Sequence, residues 1–216
     1  MRELGMGAAI GKAGRVIARA AASAAVAALL ATGTAATAQF SDSFNFLKAV
    51  RDRDGTKVAE VVERPGSQLI NTRDYNTGEA ALHILVKRRD TAWLGYLIGK
   101  GATVDIRDRE GNTPLLLAAQ LGYLEGVRVL IGQGAAVDAI NNRGESALIL
   151  AVQNRDAALV RTLITQGADA RRPDRIAGKS ARDYAAEDPR AAPLLKIIEA
   201  APASKPKAPV AGPVMR

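Results

Sequence analysis

Two landmarks return at a fixed interval of 33 residues, and that interval restricts the chain to a stack of like units. Gly78-Glu79-Ala80-Ala81-Leu82 recurs as Gly111-Asn112-Thr113-Pro114-Leu115 and again as Gly144-Glu145-Ser146-Ala147-Leu148. Gly101-Ala102 recurs in the same register as Gly134-Ala135 and Gly167-Ala168. A weaker copy, Gly178-Lys179-Ser180-Ala181-Arg182, follows after 34 residues. Within one unit, Thr113 is a natural helix N-cap and Pro114 suits the first helical position, with Ser146 and Ser180 in the same capping place. The pattern predicts a short first helix over Leu115 to Leu121, a break at Gly122, and a second helix from Leu124 to Gly132. Gly134 then supplies the left-handed turn, and Val137 onward runs extended towards Gly144. No unit of this size buries its own apolar face, so neighbours must stack.

The repeating unit resembles the ankyrin repeat, whose hallmark is T-P-L-H-x-A in a period of 33. Asp108-Arg109-Glu110-Gly111-Asn112-Thr113-Pro114-Leu115, with Ala118-Ala119, Gly122 and Leu130-Ile131, is the best copy. Counting the N-terminal cap as the first unit, the second keeps Leu82-His83 but carries Ala80 where the capping Thr belongs, and the fourth keeps Ser146, Leu148 and Leu163-Ile164. The resemblance implies an all-α solenoid of helix-turn-helix units with extended finger loops. It divides the chain into an N-terminal cap at residues 42–74, repeats at 75–107, 108–140 and 141–174, and a C-terminal cap at 175–200. Phe44, Leu47 and Val50 are expected on one buried face of the N-terminal cap. Trp93, Gly126 and Leu159 take equivalent inward positions on the second helices, and the Trp93 indole is expected to fill the space beside Gly126.

The ends read differently. Residues 1–38 contain 15 Ala, four bases (Arg2, Lys12, Arg15, Arg19) and one acid, Glu3. An apolar stretch from Ala20 to Ala31 precedes Ala36-Thr37-Ala38, so a secretory signal with cleavage after Ala38 and delivery to the periplasm is expected. An uncleaved anchor is the alternative, though Ala, Thr, Gly and Ser dilute the stretch below what spanning requires. Residues 201–216 (APASKPKAPVAGPVMR) read as a disordered basic tail, because Pro blocks helix and no apolar face exists.

Composition narrows the chemistry. There is one His and no Cys, which excludes thiol nucleophiles, disulfides and Cys-based zinc sites. By the resemblance, His83 has a structural hydrogen-bonding role between repeats. No phosphate-loop string occurs, and Asp105, Asp108, Asp138, Asp169 and Asp174 recur with the period, as turn residues do. No catalytic residue, cofactor or metal is expected. The 30 bases and 22 acids fall to 26 and 21 without residues 1–38, so the charge drops from +8 to +5. With no stacking aromatics beside the arginines, nucleic acid is not an expected partner. In similar proteins the fingers and first-helix face bind other proteins. The corresponding contact candidates here are Tyr75, Lys87, Arg88, Arg107, Arg109, Gln120, Leu121, Asn142, Arg143, Gln153 and Asn154. A protein partner with an acidic surface is expected; loose association with anionic cell-wall polymer is the alternative, and plain solvation of these side chains is the bland one.

Overall fold

The computed structural model describes residues 42–64 and 67–200. The expected signal segment and the basic tail lie outside the described residues. The stack comprises residues 46–200. Its helices are α1 (residues 42–52), α2 (Gly55–Val62), α3 (Ala81–Lys87), α4 (Thr91–Gly99), α5 (Pro114–Gln120), α6 (Leu124–Gly132), α7 (Ala147–Gln153), α8 (Ala157–Thr165), α9 (Ala181–Glu187) and α10 (Ala192–Glu199). Among the described residues there is no β-strand, only isolated bridges such as Ile140 with Ser146 and Pro173 with Ser180.

First helices pack on first helices, α3 on α5 on α7 on α9, and second helices form a parallel layer, α4 on α6 on α8 on α10. One continuous core runs through both layers, from Phe46 to Ile198. The helix starts follow from capping chemistry. Thr113 Oγ1 accepts the Leu116 N–H at 3.3 Å, Ser146 Oγ that of Ile149 at 3.3 Å, and Ser180 Oγ that of Asp183 at 3.2 Å. The second helices use carboxylates instead: Asp90 accepts from Trp93 and Asp156 from Ala158 and Leu159. Each such cap contributes about 1 kcal/mol by satisfying donors the helix cannot.

Where the second repeat lacks its capping hydroxyl, His83 substitutes for half of the cap. Its Nδ1 accepts the Ala80 N–H at 3.2 Å, as Asp183 accepts that of Ser180. With Nδ1 an acceptor, Nε2 carries the proton and donates to the Asn112 carbonyl of the next repeat at 2.9 Å. The ring is fully buried, and desolvation pushes its pKa below the ordinary value. The expected role between repeats is therefore what the geometry shows.

The finger tips are joined by backbone hydrogen bonds. Arg109 N–H donates to Thr77 O, Asn142 N–H to Glu110 O, and Arg175 N–H to Arg143 O, at 2.8–3.1 Å. This close approach needs glycine at the tip: at Gly111 (φ +79°) a Cβ would sit 2.4 Å from Asn142 Oδ1, while at Gly178, where nothing stacks, it would meet no atom within 4 Å. The first and last hairpins are one residue longer than the middle two. Asp74 N–H reaches Glu79 O and Asp174 N–H reaches Lys179 O, whereas Asp108 closes on Asn112 and Asn141 on Glu145.

Two expectations are corrected. Phe44 is 59% exposed; the buried face of α1 is Phe46, Leu47, Ala49 and Val50. The space beside Gly126 is filled by Tyr123, not Trp93. A Cβ on Gly126 would lie 2.3 Å from Tyr123 Cδ1, and the Trp93 ring instead lies against Gly55 at the N-terminus of α2. The reason is local: Tyr123 stands at the N-cap position that Asp90 and Asp156 occupy in the neighbouring repeats, makes no capping bond, and folds back over its own helix.

Candidate interaction surface

The first helices of the three full repeats, α3, α5 and α7, present almost nothing to solvent along their bodies. Residues 81–86, 114–119 and 147–152 are all buried, because each seven-residue helix is enclosed by the second helix of its own unit and the first helices on either side. Side chains emerge only at the two ends, which a helix of this length holds about 10 Å apart. The candidate residues accordingly separate into a fingertip row and a helix-end row.

In the fingertip row most polar groups are engaged with the stack itself. Arg107 donates to Gly111 O at 3.0 Å and to Ile140 O of the next finger at 2.6 Å. The Arg109 guanidinium lies 5.6 Å from the Tyr75 ring centroid and donates to the Tyr75 carbonyl. Asn142 donates to Arg109 O at 3.0 Å, and Arg143 pairs with Glu145 at 2.8 Å. These arginines hold neighbouring fingers in register through carbonyls they reach from 33 or 34 residues away. Tyr75 remains 70% exposed and Ile176, on the last finger, 76%. Asp74 receives Arg51 and two backbone N–H groups, and its carboxyl is held down to about 2, chiefly by the Arg51 hydrogen bond. Of the periodic aspartates, Asp108 and Asp174 close their own turns, while Asp105 and Asp138 accept N–H groups of Ala136 and Asp169 in the next repeat.

The helix-end row contains Lys87, Arg88, Gln120, Leu121, Gln153 and Asn154. Lys87 pairs with Glu79. Asn154 donates to the carbonyls of Ala119 and Gln120, tying α7 to α5. Gln120 and Gln153 are exposed, Leu121 is 39% exposed, and Arg88 is exposed with no side-chain hydrogen bond or ion pair among the described residues.

Three arginines not among the candidates complete this row. Arg53, Arg89 and Arg155 occupy the turn between first and second helices in the left-handed region, at φ +59°, +55° and +54°. Each sends its guanidinium into the next unit: Arg53 to Asp90, Arg89 to Leu121 O at 2.8 Å, and Arg155 to Asp188 at 2.7 Å. Gly122 is the equivalent position in the third repeat, where the ladder is interrupted. The 33-residue alignment of Arg89, Gly122 and Arg155 is the sequence signal that marks them.

Among the described residues no group of three or more His, Cys, Asp or Glu side chains gathers, and no helix is long and apolar enough to cross a membrane. The exposed edge carries cations, amides and a few apolar groups.

Comparison with known proteins agrees with this geometry. The family profile described as ankyrin repeats (3 copies) matches residues 46–141 and 82–174. A segment of 89 residues is 28% identical to the NF-kappa-B inhibitor alpha of Gallus gallus, covering 41% of this chain and 28% of that protein. The match thus spans little more than a quarter of that relative's length. Since the profile spans more than half of the chain and its register is the one seen in the helices, the chain belongs to the ankyrin-repeat family.

Proposed function

We propose that this protein is a non-catalytic interaction module, exported to the cell envelope, that binds a protein partner through its fingertips and first-helix ends. Ankyrin repeats point to protein–protein interaction. The observation that carries the reading is the contrast between closed helix bodies and two accessible rows of side chains held by inter-repeat bonds. Such a surface loses little entropy when a partner docks, so most of the contact energy appears as affinity. The partner presents an acidic surface with some apolar area for Leu121 and Tyr75. The segment at residues 1–38 is the export signal, with cleavage after Ala38 leaving a periplasmic protein that begins at Gln39.

The test is in-cell crosslinking of the tagged full-length chain, followed by purification from the soluble envelope fraction and mass spectrometry of both bait and captured protein. A bait whose first residue is Gln39 and one dominant co-purifying protein are expected. A bait that retains residues 1–38, or that stays in the cytoplasm, overturns the export reading. Bait that sediments with cell wall without an enriched protein overturns the adaptor reading in favour of polymer association.

A further inference from the structure

At the junction between the N-terminal helix pair and the first full repeat, three arginines line one cleft. Its volume is about 300 Å³, and it is lined by Arg53, Arg88, Arg89, Asp90, Thr91 and Ala92. Asp90 is the single carboxylate of the lining, and both its oxygens are occupied: Oδ1 accepts the Trp93 N–H and Oδ2 pairs with Arg53. That pair is internally neutral. Arg89 donates to a carbonyl, which leaves its charge uncompensated, and Arg88 has no partner among the described residues. Among the described residues, then, two of the three arginines that line the cleft have no ion-pair partner.

The concentration of charge is local. One repeat further on, the same turn carries Gln120, Leu121 and Gly122, and the next carries Gln153, Asn154 and an Arg155 already paired with Asp188. A separate polar group lies at the same edge. The Tyr123 side chain is 94% buried beneath Arg89, its hydroxyl faces Thr91, and that hydroxyl has no hydrogen-bonding partner of normal geometry. The candidate fingertip arginines Arg107, Arg109 and Arg143, by contrast, are engaged with carbonyls, an aromatic ring or Glu145.

We infer that this cleft is the electrostatic anchor of the interaction surface and seats carboxylate side chains of an acidic protein segment, with Arg88 and Arg89 as donors. Arginine suits this role because its planar fork offers two parallel N–H groups to a carboxylate. The inference rests on the partner-binding reading above and moves its charged centre from the fingers to the helix ends.

Fluorescence anisotropy of a fluorescein-labelled hexaglutamate peptide, titrated with the full chain at about 20 mM salt, reads the site directly. Arg88→Glu is expected to weaken binding by about tenfold or more, equivalent to about 1.4 kcal/mol. Arg88→Gln is expected to give an intermediate loss, and Arg161→Glu, the same charge change on α8, less than about twofold. Melting curves of each variant report folding, and the neutral Arg88→Gln substitution keeps the comparison usable if charge reversal is poorly tolerated. Equal losses from Arg88→Glu and Arg161→Glu would mean diffuse attraction and overturn the proposal, as would absence of binding. So would displacement of the peptide by inorganic phosphate at concentrations where sodium acetate has no effect, since the site would then be a phosphate site. In a parallel crosslinking capture, a partner recovered undiminished with a folded Arg88→Glu variant refutes the anchor while leaving the adaptor reading intact. Capture of nothing refutes the adaptor reading, and the peptide titration still decides the cleft.

Discussion

The Tyr123–Gly126 pair offers a sharp test of how this stack is packed. Gly126 sits in the first turn of α6, where α4 carries Trp93 and α8 carries Leu159. By helix propensity alone, Gly126→Ala should stabilise by about 1 kcal/mol. The new Cβ, however, would stand 2.3 Å from Tyr123 Cδ1 and 2.4 Å from Cε1, far inside contact distance. The ring must swing out. An aromatic side chain buries about 150–250 Å², and at about 25 cal/mol per Å² the loss of half that burial costs about 2–3 kcal/mol. The net expectation for Gly126→Ala is a loss of about 1–2 kcal/mol. Tyr123→Asp alone removes the ring and restores a carboxylate cap, for a net loss of about 3 kcal/mol. Tyr123→Asp with Gly126→Leu rebuilds the arrangement seen at Asp156 and Leu159, so the pair should recover at least about 2 kcal/mol relative to the sum of the singles. Urea denaturation followed by far-UV circular dichroism and by the fluorescence of Trp93, the one tryptophan, gives each stability. A Gly126→Ala variant as stable as the wild type, or a double variant whose losses simply add, would refute the packing argument.

Three further outcomes follow from the same geometry. His83→Leu should cost about 2–4 kcal/mol, because two hydrogen bonds vanish and the buried Asn112 carbonyl loses its donor. Since the folded-state pKa of His83 is depressed, the unfolded chain binds the extra proton below about pH 6.5, so wild-type stability is full above that pH and declines below it. Comparing urea midpoints of wild type and variant at pH 5 and 8 should show part of that decline missing from His83→Leu; parallel declines would contradict the assignment. At Gly122 (φ +63°) an added Cβ lies 3.8 Å from Asp156 Oδ2, so Gly122→Arg can extend the inter-repeat ladder. Thermal melts should place Gly122→Arg above Gly122→Ala by about 0.5–1 kcal/mol, both carrying the left-handed strain. Gly111→Ala should destabilise by at least about 1 kcal/mol more than Gly178→Ala, since only the former drives a methyl group into a neighbouring finger.

Much of the architecture was legible because it is periodic. A capping hydroxyl at Thr113, Ser146 and Ser180 and a positive-φ glycine at each fingertip are local requirements, and local requirements repeat when the unit repeats. His83 was legible for the same reason, since its place in the unit dictates both its neighbours. The candidate surface was legible only as a list of polar positions. Whether Arg107 contacts a partner or the Ile140 carbonyl depends on a side chain reaching into a unit 33 residues away, and no spacing rule specifies that. Arg53, Arg89 and Arg155 were less legible because a left-handed turn is usually marked by glycine, and here arginine holds it.

Register, the points where the repeat helices begin and the periodic residues that enter the core are written in the sequence, because these depend on short-range sterics and on which faces are apolar; the face of α1, outside the repeats, was misread at Phe44. Which side chain fills each gap, and which cations find an ion-pair partner among the described residues, is settled by the packed stack. Long side chains choose among several neighbours of similar energy, and that choice rests on sub-ångström packing. Tyr123 over Gly126, Trp93 against Gly55, and Arg88 with no partner among the described residues are all outcomes of that competition.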